Sequence, residues 1–60
     1  MTNAQRRTNA AWLREQLGEL TRWIDTAPHR WPHRRIVVAM RAIEDGDKHW
    51  RVTAAEVLLA

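Results

Sequence analysis

The chain has 60 residues, 45% hydrophobic and 28% charged, with a formal charge of +3 and no cysteine. A chain this short buries only about 60% of the surface its unfolded form exposes, which argues against several domains and against a deep enzyme cleft. Without cysteine there is no disulfide framework and no thiolate chemistry, so dense helix packing or self-association must hold the fold.

Charge is distributed unevenly along the sequence. Nine of the ten basic residues are arginine. Segment 28–35 carries three arginines and no acid, whereas segment 36–47 sets Arg41 against Glu44, Asp45 and Asp47. A basic stretch is thus followed directly by an acidic one. The opening Met1-Thr2-Asn3-Ala4-Gln5-Arg6-Arg7 leads into no apolar run, and the longest such run, Ile36–Met40, falls far short of the roughly 18 residues of a membrane span. No signal peptide and no membrane association are expected, and the location read from this is cytoplasmic.

The first predicted element is a long helix. Ala10, Leu13, Leu17, Leu20 and Ile24 recur at alternating steps of three and four, which stacks them in one stripe. Trp12 and Trp23, about three turns apart, share one flank of that stripe and widen it into an arc that suits two neighbours. Arg14, Glu15, Gly18, Thr21, Arg22 and Asp25 form the polar side. Thr2 or Asn3 would cap the start, or Thr8 or Asn9 if the first turns fray. The interface of a homodimer is expected on Leu13, Leu17, Leu20, Ile24, Trp12 and Trp23, or on the second helix.

Pro28 and Pro32 bracket a connector. Each disfavours helical geometry in the residue before it, so the first helix should end near Asp25 or Thr26. A second helix is predicted from about Pro32, at its first position, to Glu44, with Ile36, Met40 and Ile43 inward and Val37 beside them. Gly46 stops it, and Asp45-Gly46-Asp47 reads as a turn. Thr53-Ala54-Ala55-Glu56 has the spacing of a capping box, which predicts a short last helix with Val57 and Leu58 inward and Lys48–Val52 extended. The alternative start is Lys48, capped by Asp47. The fold class is therefore all-α: a long N-terminal helix, a proline-bracketed connector, a second helix and a short C-terminal one.

Catalysis is not expected. The chain has no serine, tyrosine or cysteine, and no spacing gives Thr or Lys48 a base. Glu44, Asp45 and Asp47 read as a solvated turn, since paired catalytic carboxylates need an enclosing pocket. His29 and His33 lie four apart with Pro32 between them, and two histidines fall short of the three or four ligands a stable zinc site wants. Neither a metal nor a cofactor is predicted.

The candidate site is His29-Arg30-Trp31-Pro32-His33-Arg34-Arg35, with a smaller cluster at Lys48-His49-Trp50-Arg51. Cations interleaved with tryptophan both pair with phosphates and stack on bases. Arg34 and Arg35 fall in the first turn of the second helix, where open N–H groups attract anions, and Glu44 and Asp45 fall at its other end, so its charges oppose its own dipole. A polyanion at the basic end, an antiparallel copy of the helix, or simple screening by salt would each answer that arrangement. In the first reading Arg30, Arg34 and Arg35 neutralise phosphates of DNA or RNA, Trp31 stacks or wedges, and Lys48, His49 and Arg51 extend the footprint of a small regulatory protein. In the second, the chain is a protein-binding adaptor or inhibitor, of the sort made by phages or mobile elements, anchored by tryptophan and arginine. A third reading of Trp31 and Trp50 is structural: each pins its segment to the core while an arginine lies across its face.

Ala42, Gly46 and Val52 have the spacing of the small residue, turn glycine and buried aliphatic of a helix-turn-helix, and this stretch resembles that motif, with Arg41, Asp45 and Asp47 standing where it has apolar residues. The resemblance implies a last helix from Lys48 that offers Lys48, His49 and Arg51 to a groove. Arg51–Val57 looks instead like the opening helix of excisionase-type DNA-binding domains. The two resemblances exclude each other.

Overall fold

Local chemistry sets where each helix begins and ends. The computed structural model describes residues 9–59, and these form three helices: α1 (Ala10–Thr26), α2 (His33–Glu44) and α3 (Trp50–Leu58). The Asn9 side chain accepts a 2.9 Å hydrogen bond from the Trp12 amide and so caps α1. Thr2, Asn3 and Thr8, the other proposed caps, lie outside the described residues. α1 ends at Thr26 because Ala27, preceding Pro28, is extended (φ −65°, ψ 141°). Pro32 sits one residue earlier than predicted, as the extended N-cap of α2, and its carbonyl accepts from the Arg35 and Ile36 amides.

The α2 terminus is closed by backbone alone. Gly46 adopts φ 78°, its amide donates to the Ile43 carbonyl, and the Asp47 amide donates to the Ala42 carbonyl. These are the two bonds of a Schellman motif, which needs the left-handed conformation that glycine adopts without a Cβ penalty.

Both predicted starts of the last helix are corrected. The capping box does not form: Thr53 lies inside α3, and its amide donates to the His49 carbonyl. Lys48 and His49 are a turn in which the Asp47 carboxylate accepts from the His49 amide. The helix starts at Trp50 because that indole is fully buried and fixes the chain at that point. Tertiary burial overrides the β-branched pair Val52-Thr53.

The core is Leu20, Trp31, Ala39, Ile43, Trp50, Ala54 and Leu58, drawn from all three helices and the connector. α2 packs against both other helices, most extensively against α3. α1 and α3 meet through Trp23 and Trp50, whose ring centroids are 5.7 Å apart and tilted by 42°.

Candidate functional site: a basic connector held by a buried tryptophan

The site is built on the connector and the first turn of α2. His29, Arg30, Pro32, His33 and Arg34 are exposed, and Arg35 is half-buried. Trp31, in their midst, is 6% exposed and belongs to the core. This corrects the stacking or wedging role read for Trp31, since its ring faces the protein interior. Its work is to hold the connector in place. Flanked by two prolines with restricted backbones, it keeps the neighbouring cations outward on a short, rigid segment.

The second cluster separates from the first. Lys48 and His49 are exposed, but they lie beyond the opposite end of α2, about 18 Å from its first turn at 1.5 Å per residue. Arg51 is engaged internally: its guanidinium makes a two-pronged bond to Glu19 and a further 3.0 Å bond to the Gln16 Oε1 atom. Its Cζ atom also lies 4.9 Å from the centroid of the Trp50 ring. Trp50 is therefore a core residue roofed by a cation, and Arg51 is no part of a free cationic face. The fork pairing and charge at both ends make this a strong contact geometry. The Arg51 hydrogen bond holds the Glu19 carboxyl below its usual value of 4.5.

Two residues that organise this corner, Gln16 and Glu19, escaped the sequence reading. Gln16 is buried, and its Oε1 atom accepts 2.9 Å from the Trp50 indole N–H as well as from Arg51. The signal was present: Trp12, Gln16, Glu19 and Trp23 fall at steps of four, three and four, one line along α1. A polar pair between two tryptophans on one flank marks a buried hydrogen-bonding position.

The stripe assigned to a dimer interface is largely consumed by the chain itself. Leu20 is buried, and Trp12, Leu13, Leu17, Trp23 and Ile24 are partly buried against the same core. Ala10, the first residue of the stripe, is exposed.

Between α2 and α3 runs an open groove of about 380 Å³ lined by Arg34, Arg35, Val38, Glu56 and Val57. Glu56 shares this groove with Arg34 and Arg35, yet among the described residues the one ion pair is Arg51 with Glu19. No family model, curated protein or solved structure matches the chain. The helix-turn-helix likeness loses its buried aliphatic, because Val52 is 58% exposed. Among the described residues no group of three or more His, Cys, Asp or Glu gathers as a metal site, and no helix is long and apolar enough to cross a membrane.

Proposed function

We propose that this protein binds nucleic acid through the backbone phosphates, using Arg30, Arg34 and Arg35. The observation that carries the reading is the contrast between the arginines. Arg51 is clasped by an acid of its own chain, whereas Arg30, Arg34 and Arg35 have no ion-pair partner among the described residues and stand around a core-anchored tryptophan. Arg30 on a connector bracketed by prolines, with Arg34 and Arg35 on the first turn of α2, has its backbone positioned before a ligand arrives, which lowers the ordering cost of binding. They adjoin the first turn of α2, which no side chain caps, so helix amides reinforce the same preference for anions. His29 and His33 add hydrogen-bond donors to phosphate. With Trp31 inside, base stacking is not part of this reading, and recognition is of backbone charge. The tryptophan-anchored protein-binding alternative is disfavoured, because Trp31 and Trp50 are both in the core.

Fluorescence anisotropy with labelled duplex and single-stranded oligonucleotides tests this across a salt series. Three neutralised phosphates predict a slope of log K against log salt of about −2.7 per copy on duplex DNA. Arg34→Ala with Arg35→Ala should flatten that slope by about 1.8. Absence of binding to any nucleic acid at low salt defeats the proposal.

A further inference from the structure

The outer face of α2 carries an arginine that the connector cluster leaves out. Ala39 and Ile43 turn inward and are buried, while Arg34, Val38 and Arg41 are exposed. These three are spaced four and three apart, so they form one outward line along the helix. In sequence Arg41 stands among acids, with Glu44 and Asp45 one turn on, yet among the described residues it makes no ion pair. An arginine N-terminal to its acid is the weaker order for such a pair. Helical side chains also lean toward the N-terminus of their helix, so Arg41 covers the turn of Val37 and Val38 and not the turn that holds Glu44. It continues the cationic track that starts at Arg30 and passes Arg34, about 10 Å back along the axis at 1.5 Å per residue. Acids mark the edges of that track. Glu56 lines the groove beside Arg34 and Val38 on the α3 side, and Glu44 and Asp45 lie beyond the far end.

We infer, resting on the nucleic-acid reading above, that the ligand is double-stranded and lies along this face of α2, with Arg41 as a fourth phosphate contact beside Arg30, Arg34 and Arg35. Two observations favour a duplex over a single strand. The first is the lack of a stacking platform among the described residues. Sequence-tolerant binding of a single strand draws on aromatic rings laid against successive bases. The chain has no tyrosine or phenylalanine, Trp31 and Trp50 are buried, and Trp12 and Trp23 are half-buried against the core. The second is the fixed spacing of the cations, since Arg34 and Arg41 share one face of one continuous helix. A duplex is stiff over that length and presents a dense, regular row of phosphates, so both charges are met without ordering either partner. A flexible strand meets the same pair only by giving up conformational freedom.

Fluorescence anisotropy of the whole chain against a labelled duplex and its single strand, over a salt series, is the test. The expected result is tighter binding to the duplex, with a slope of log K against log salt of about −3.6 for four phosphate contacts, where three give about −2.7. Arg41→Gln should flatten that slope by about 0.9 while far-UV circular dichroism keeps the helical signal. Arg22→Gln removes the same charge from the polar side of α1, where the arginine is also exposed, and should leave the slope at the parent value. Duplex DNA and duplex RNA run as separate arms, and the tighter of the two names the source of the phosphates. Tighter binding to the single strand overturns the inference, as does an Arg41→Gln slope equal to the parent's. So does an equal flattening by Arg22→Gln, which would make the effect one of net charge. In each of these cases binding persists, and the reading of Arg30, Arg34 and Arg35 stands. Absence of binding to every probe at low salt removes both.

Discussion

Gln16 shows how one polar side chain specifies a packing arrangement. Its single oxygen accepts from the Trp50 indole and from Arg51, while Trp50 itself is fully enclosed. Gln16→Leu keeps the volume and removes the acceptor, leaving an indole N–H buried without a partner. That change should lower the unfolding free energy by about 1–3 kcal/mol, the range for an orphaned buried donor, and a shifted urea midpoint would report it. An unchanged midpoint would mean that water reaches the indole. Trp31 is the complementary case: its ring is a structural anchor, and the exposed cations beside it depend on that anchor for their position.

Within the helices, the two glycines have opposite consequences. Gly46 closes α2 at φ 78°, so Gly46→Ala places a Cβ in the left-handed region and should cost about 1 kcal/mol. Gly18 lies within α1 on its polar side, and a Cβ there would meet only the Arg22 guanidinium at 4.0 Å. Gly18→Ala should therefore stabilise the chain by about 0.5–1 kcal/mol through helix propensity. Thermal melts of the two variants should move in opposite directions from the parent; a shared direction would contradict this account. α2 carries Arg34 and Arg35 at its positive end and Glu44 at its negative end, both unfavourable to its dipole, with Arg41 in the last turn offsetting Glu44. A bound polyanion or a second chain would relieve that cost, which is a reason to seek the ligand at this helix.

Across the whole molecule, the Glu19–Arg51 pair clips the first helix to the last. Because Arg51 lowers the Glu19 pKa in the folded state, the pair contributes stability above the ordinary value of 4.5 and loses it as pH falls through that value toward the lowered one. Stability should therefore decline on acidification below about pH 4.5, and Arg51→Gln should make that decline shallower. Denaturant midpoints between pH 3 and 6 measure it, and parallel curves for the two proteins would remove Glu19 as the cause. The pair is partly exposed, so added salt should weaken its effect.

The sequence by itself determined the three helices and most of their ends, because those depend on neighbours. A three-and-four spacing, a proline two residues beyond Thr26, Asn9 before an apolar periodicity and Gly46 after one each act within a turn of chain. It also marked Arg30, Arg34 and Arg35 as a cluster, which needs only their adjacency. Tertiary structure decided everything that turned on which side of a residue meets another element. Both indoles flanked by cations read as open from their neighbours, yet large apolar rings were the groups a small core could least leave in water. Arg51 and Glu19 are 32 residues apart, so no local pattern announces their pairing. The start of α3 followed Trp50 into the core in place of the capping signal at Thr53, since burial of one indole outweighs a cap worth about 1 kcal/mol.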